Sequence, residues 1–498
     1  MGVKSFISKY YAAFLIGKLR KAVLHPADAQ HQIFQNLIRQ AKHTKFGKEH
    51  NFESIHTYDD FVKNVPIRDY EQLKSYIDEV VKGYPDILWP GKPIYLCKTS
   101  GTTSGAKYIP ISKESIPNHI DSAKHALLSY IHETGNASFL DGKMIFLQGS
   151  PTLASKNGIP LGRLSGIVAH HVPAYLQKNR VPTFKTNCID DWEQKVEAIV
   201  DETFDQDLRL ISGIPAWVQM YFEKLLEKTG KKTVAEVFPN FSLFVYGGVN
   251  FEPYRPIFDS LIGKKIDSVE TFPASEGFFA FQDSQKEKGL LLVVNHGIFF
   301  EFIPVDELSK EKPSRIPLEK VELGVNYALI LNTNAGLWGY NIGDTVKFVS
   351  KNPYRVVVSG RIKHFTSAFG EHVIAEEVEK SMVEGSSKAS CTVREFHVAP
   401  QVSPKEGLPY HEWFIEFDKT PIDLEAFAEA VDQKLQSLNP YYFDLRKGNI
   451  LRRLVISCVA EGAFVAAMKS KGKLGGQNKI PRLTNDRDIA SLLAEFKL

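Results

Sequence analysis

Two stretches of contrasting periodicity set the architecture. From Met144 to Lys228 apolar runs alternate with helical patterns. Met144 to Leu147 reads as a short buried strand and Trp192 to about Phe204 as a helix. Leu208 to Ile211 is a strand ending in Ser212-Gly213-Ile214-Pro215, and Trp217 to Lys228 is helical again. That alternation predicts an α/β layer structure. From Leu290 to His364 closely spaced strands take over: Leu290 to Val294, Phe299 to Val305, Tyr327 to Thr333, Asp344 to Val349 and Tyr354 to Ser359, many of them rich in β-branched or aromatic residues. This block predicts a barrel or a sheet following the α/β part.

The flanks are helical. Residues 1–90 carry apolar positions such as Ile33, Leu37 and Ala41 at helical spacing, punctuated by Pro66 and Pro90. Ser112 is placed to cap a helix with Glu114 in its first turn, where Pro117 is tolerated near the start. Beyond Gly360, helices at about Glu371 to Met382 and Leu424 to Leu438 indicate a small α+β domain; Leu424, Phe427, Val431, Leu435 and Leu438 form one stripe. A chain of 498 residues exceeds the size at which single cores stop growing, so two domains are expected, 1–359 and 360–498. Ser359-Gly360-Arg361-Ile362-Lys363 is the candidate hinge, or an ordinary strand-end turn.

Charge excludes some partners. The 61 Lys and Arg are interleaved with 58 Asp and Glu, a formal charge of +3, which gives no basic stripe for nucleic acid. Cys97, Cys188, Cys391 and Cys458 lie far apart with no C-x-x-C pair, as expected in a reducing, cytoplasmic setting. Tyr10 to Ile16 is apolar but short and bounded by Lys18, Arg20 and Lys21, so it reads as part of an amphipathic helix. Phe6 stands where a myristoylation pattern wants Ser or Thr, and no run is long enough to span a bilayer, so no membrane partner is expected. No obligate protein partner is indicated.

Four segments carry chemistry. Lys98-Thr99-Ser100-Gly101-Thr102-Thr103-Ser104-Gly105-Ala106-Lys107 packs hydroxyls, two glycines and a lysine between apolar runs, a composition suited to a polyphosphate or to a plain polar turn. It is not a Walker A loop, because Ala106 intervenes before the lysine and Tyr108 follows it. Phe272-Pro273-Ala274-Ser275-Glu276-Gly277 sets a ring and a carboxylate four positions apart, able to stack a base and hold Mg²⁺; Glu276 is equally a solvated loop acid. Gly339-Tyr340-Asn341-Ile342-Gly343-Asp344 presents an acid suited to ribose hydroxyls, or a turn aspartate. Lys471, Lys473, Lys479 and Arg482 form a basic, glycine-rich stretch that is a solvated face or closes over a phosphate. His170 and His171 are adjacent and so point apart, and no G-x-S-x-G elbow supplies a serine nucleophile. Phe278, Phe279 and Phe281 could line an apolar pocket, though so dense a run is more often core.

Taken together and in this order, these segments resemble the GH3 acyl-acid amido synthetase family, a branch of the adenylate-forming enzymes. Thr99 to Gly105 looks like its first ATP motif, Phe272 to Glu276 its second and Tyr340 to Asp344 its third. Tyr246-Gly247-Gly248, Phe300 to Val305, Thr333 to Leu337 and Gln477 to Arg482 resemble connecting pieces, so the likeness spans roughly residues 90 to 482. The resemblance implies a large N-terminal α/β domain with a β-barrel-like part, holding ATP and acyl acid, and a small α+β C-terminal lid that rotates over it. It implies that Ser100, Gly101, Thr102 and Thr103 hold phosphates and that Phe272 lies against adenine. Gly247, Gly248, Ser275 and Arg361 would also contact ATP, Glu276 would bind Mg²⁺, Asp344 would hold the ribose, and Lys479 would be the closing lysine. The implied reaction joins a small carboxylic acid to an amine, an amino acid above all, by way of an acyl-adenylate. An acyl-CoA ligase and a non-catalytic binding protein of the same fold are the alternatives. The chain departs from plant members: Asn341 replaces an arginine, Phe272-Pro273-Ala274 replaces Tyr-Ala-Ser, Phe369 to Val373 stands where they have Asp-Lys-Thr, and the chain is shorter.

Overall fold

The computed structural model describes residues 2–498 except 103–104, 173–176, 190, 250, 252–253, 309, 311, 362–364, 367, 372 and 471–480; the side chains at 3, 20–22, 100–102, 105–106, 192–193, 361, 365–366 and 376 also stand outside the description. Its centre is one sheet of 12 strands that changes character half-way. Arg180–Val181, Lys143–Phe146, Leu208–Ser212, Leu243–Gly247 and Asp267–Ala274 run parallel. Gly277–Phe281 then turns back, and Leu290–Leu292, Tyr354–Arg361, Tyr340–Lys351, Asn326–Thr333, Ile298–Pro304 and Ile316–Pro317 continue antiparallel. Of barrel or sheet, the strand-rich block therefore takes the sheet, extending the α/β layer instead of closing on itself.

Helices cover this sheet as the helical spacing of residues 1–90 requires. Thr57 and Asp69 start Tyr58–Asn64 and Tyr70–Val81 with reciprocal capping boxes to Asp60 and Gln72. Pro26–Ala41 docks through a buried polar contact. Gln30 donates to the carbonyls of Val294 (2.8 Å) and Ile298 (2.9 Å) and accepts from the Phe300 amide (2.8 Å). Its apolar face, with Phe34 and Leu37, joins Phe46, Phe299, Phe302 and Trp338 in the core beneath the antiparallel half. The Ser112 cap is displaced from the expected place. Its Oγ accepts from the amides of Glu114 and Ser115 in a preceding turn, and the helix proper runs Ile116–Thr134 with Pro117 in its first turn.

The C-terminal region is the expected α+β unit. Thr392–Gln401 and Tyr410–Lys419 pair antiparallel, and Val455–Cys458 adds in parallel. Ala375–Lys388 and Leu424–Leu438 pack together on it, with Gly385 so close to the second helix that a Cβ there would sit 2.4 Å from Val431. The first of these helices begins at Ala375, not Glu371. The buried Glu371 carboxylate instead accepts from the Phe369 amide (2.8 Å) and pairs with buried His411 (2.8 Å). Ala368 and Gly370 lie against earlier parts of the chain, the former through the Tyr254 hydroxyl (2.6 Å) and the latter beside Ile214.

Candidate functional site

The carboxyl edge of the parallel strands organises the site. Numbered along the chain, those five strands lie in the order 2-1-3-4-5, which opens a crevice where the first strand's successors leave to opposite sides. Gly247 ends the fourth strand and faces Thr271 on the fifth; a Cβ there would lie 2.4 Å from the Thr271 carbonyl oxygen. Gly248 follows with φ +80° and open space where a side chain would stand. The backbone here can therefore be approached closely by a ligand.

At the end of the fifth strand, Ser275 and Glu276 form the turn of a hairpin, with Ala274 opposite Gly277. Buried Asn118 holds the return strand, accepting from the Phe278 amide (2.6 Å) and donating to its carbonyl (3.2 Å). Phe272, only 7% exposed, packs edge-on against Phe279 at 5.1 Å. Its ring belongs to the core. Phe278, Phe279 and Phe281 are likewise buried in apolar clusters, as the packing reading of that run has it.

Two other segments converge on this turn. The hydroxyl segment is not an open loop but a hairpin, Tyr95–Thr102 with Gly105–Ile111, because threonine-rich sequence suits extended backbone. Ser100, Gly101 and Thr102 end its first strand; their side chains, and Thr103 entirely, lie outside the described residues. At the base of the hairpin the Cys97 thiol donates to Ser275 Oγ at 3.2 Å. Burial pushes that thiol up to about 12, and the nearby Glu276 carboxylate adds to the shift; it is a neutral packing group. From the third segment, the Tyr340 hydroxyl donates to Glu276 Oε1 at 3.1 Å. Further along the same strand Gly343, at φ +89°, opens onto space and Asp344 stands opposite Arg361. The Arg361 side chain and all of Lys479 lie outside the described residues.

Sequence reasoning missed the C-terminal contribution. Helix Pro440–Lys447 lies against the hydroxyl hairpin, with Tyr441 hydrogen-bonded to Thr99 and raised by its burial. Arg163 pairs with Asp444 and lies over the Tyr441 ring at 4.6 Å. Between these groups and Lys98, Ser150, Lys195 and Trp217 is a cavity of about 450 Å³ at the crevice. Only the strand order reveals this site, and strand order is not written in any local motif. Asn118 left no signal either, since it shares the buried face of its helix with other polar residues, Ser122, His125 and Ser129.

Three consecutive regions match the GH3 family: its N-terminal domain over residues 15–188, its central domain over 291–361 and its C-terminal domain over 376–488. The chain belongs to the GH3 family. Jasmonoyl–L-amino acid synthetase JAR6 of Nicotiana attenuata is 22% identical over 520 residues, covering 87% of this chain and 86% of that protein. In two other relatives the chain spans less than two thirds of their length. JAR4 of the same species is 22% identical over 58% of this chain and 60% of its own, and indole-3-acetic acid-amido synthetase GH3.3 of Arabidopsis thaliana is 26% identical over 48% and 43%. Among solved structures, the GH3.15 acyl acid amido synthetase in complex with 2,4-DB superposes with TM-score 0.61 at 17% identity, over 97% of this chain and 96% of that one. A 2-hydroxyisobutyryl-CoA ligase gives 0.57 at 13% identity, over 96% and 92%. The fold is thus that of the adenylate-forming ligases.

No group of three or more His, Cys, Asp or Glu that could hold a metal occurs among the described residues. Magnesium needs only one or two protein carboxylates when phosphates and waters complete its octahedron. Glu276, in the hairpin turn and bonded by the Tyr340 hydroxyl, fits that requirement.

Proposed function

We propose that this GH3 protein is an ATP-dependent acyl-acid amido synthetase. The convergence of two separated segments on the Ser275–Glu276 turn carries the reading: Cys97 of the hydroxyl hairpin reaches Ser275 and Tyr340 reaches Glu276. In the first half-reaction a substrate carboxylate oxygen attacks the α-phosphorus of ATP and pyrophosphate leaves. In the second, an amine attacks the acyl carbon and AMP leaves. Neither step needs an enzyme nucleophile, so positioning and neutralisation of charge are the protein's task.

The hydroxyl hairpin, through Ser100, Gly101, Thr102 and Thr103, is proposed to take the phosphates, with Gly247, Gly248 and Ser275 admitting the nucleotide and Asp344 binding its ribose. Phe272 shapes the floor beneath the base, a role its burial allows. Glu276 would hold Mg²⁺, which supplies neutralisation of phosphate charge. Arg361 and Lys479 are assigned to the moving side, in a division of 1–359 as nucleotide and acid domain and 360–498 as lid. No helix among the described residues is long and apolar enough to cross a membrane, and the dispersed free cysteines support a cytoplasmic setting.

The test is ATP–pyrophosphate exchange across a panel of aryl and alkyl carboxylic acids with Mg²⁺, without amine or CoA. Exchange with one acid class is expected, and Glu276→Ala should abolish it. A variant retaining near-normal exchange would remove Glu276 from the site; absence of Mg²⁺-dependent ATP binding in the parent would overturn the proposal. Product analysis with amino acids and with CoA then identifies the acceptor.

A further inference from the structure

The N-terminal helix Val3–Leu24 is built inside out. It packs on the body through small residues: Ser5 and Ala12 are fully buried, and Asp141 accepts from the Gly2 amide (2.8 Å) and the Ser5 hydroxyl (2.7 Å). Leu15 and Val23 add partly buried contacts to the body, whereas the aromatic side chains point the other way. Phe6, Tyr10 and Phe14 are 53%, 68% and 61% exposed, with Ile7 and Tyr11 exposed beside them. At 100° per residue these positions share one broad face. A helix that is apolar on both sides is ordinarily covered on both, and a contiguous aromatic patch of this kind marks an interaction surface.

Charge selects the occupant. The segment 3–24 holds Lys4, Lys9, Lys18, Arg20 and Lys21 and no Asp or Glu, in a chain whose charges nearly cancel as a whole, 61 against 58. A second copy of the helix would bring two cationic faces together, whereas an anionic lipid surface supplies both the opposite charge and an apolar layer. The Lys18 ammonium lies over the exposed Phe14 ring at 4.6 Å, so a cation and an aromatic are presented together, as at a lipid headgroup boundary. We propose that the exposed face of this helix docks the protein peripherally on an anionic membrane surface, lying in the interface with Phe6, Tyr10 and Phe14 inserted. The earlier expectation of no membrane partner rests on the lack of a spanning segment or lipid anchor, and neither is required here.

The full-length protein is sedimented with vesicles of phosphatidylcholine alone and of phosphatidylcholine with phosphatidylserine. Binding to the anionic vesicles is expected at least about tenfold above the neutral ones and weakened by salt. Phe6→Ser/Tyr10→Ser/Phe14→Ser should lose it while thermal unfolding and nucleotide binding stay unchanged. Lys18→Glu, a single change at an exposed position, should weaken it independently. Failure of the parent to bind anionic vesicles overturns the proposal. So does equal binding to both vesicle types, or binding that survives in the triple variant. A dimer detected by light scattering and lost in the triple variant would assign the face to a second copy instead.

Discussion

Tyr340→Phe isolates the link between the second and third segments. The ring is fully buried, so phenylalanine keeps the packing and removes only the hydroxyl that donates to Glu276 Oε1 at 3.1 Å. A hydrogen bond to a charged group is worth about 1.5–3 kcal/mol. Glu276 is partly exposed, so water can replace the lost donor and the lower end applies. About 1.5 kcal/mol corresponds to roughly a tenfold change. MgATP affinity measured by titration calorimetry, which needs no knowledge of the acid, should fall by about that factor, and the Mg²⁺ concentration for half-maximal exchange should rise. The melting temperature should move by no more than about 4 °C. MgATP affinity within about twofold of the parent, with the fold intact, would refute the view that Tyr340 positions the carboxylate proposed to bind the metal.

Three further outcomes are expected. Gly247→Ala forces a methyl to 2.4 Å from the Thr271 carbonyl oxygen. It should destabilise the fold by about 1–3 kcal/mol and weaken nucleotide binding; an unchanged melting temperature would show that the strands separate freely. With its thiol pushed up to about 12 by burial, Cys97 should resist Ellman's reagent at neutral to mildly alkaline pH. At most three of the four cysteines should titrate before unfolding, and rapid labelling of Cys97 would contradict the buried hairpin base. Burial pushes His119 and His125 from 6.5 down to about 4, His125 further opposed by His296. The folded protein keeps them neutral while the unfolded chain takes up protons below about 6.5, so stability should fall as pH drops from there toward 4. Melting curves across that range should show it, with a shallower slope in His119→Leu; an identical slope would place the titration elsewhere.

What could be read from the sequence depended on how local the cause is. Leu424–Leu438 appears with both expected ends because its stripe and the capping carboxylate of Asp423 are contained in the segment. The motif carboxylate Glu276 could be nominated because an acid in a turn, beside a glycine, keeps its chemistry whatever surrounds it. Phe272 could not be resolved that way. An aromatic in a short segment reads alike whether it faces a base or another ring, and the contact with Phe279 depends on the hairpin that folds the strand back. The crevice was less legible still. Arg163, Lys195 and Tyr441 come from three parts of the chain, and nothing in any one of them foretells that the strand order will bring them around one cavity.

Asn341, where the family resemblance leads one to expect an arginine, makes a local turn of its own. Where plant members have an arginine, the shorter Asn341 side chain turns back on its own strand and accepts from the Gly343 amide at 2.9 Å. Its backbone amide meanwhile donates to the Arg68 carbonyl at 2.8 Å. That local bond is the turn-forming chemistry natural to asparagine. It leads into the positive φ of Gly343, the residue directly before Asp344. The bend before the strand's acid is therefore supported in this sequence by Asn341 itself. Asp344 pairs in register with Arg361 of the neighbouring strand, so the bend at Asn341 and Gly343 sits directly before the acid proposed to hold the ribose.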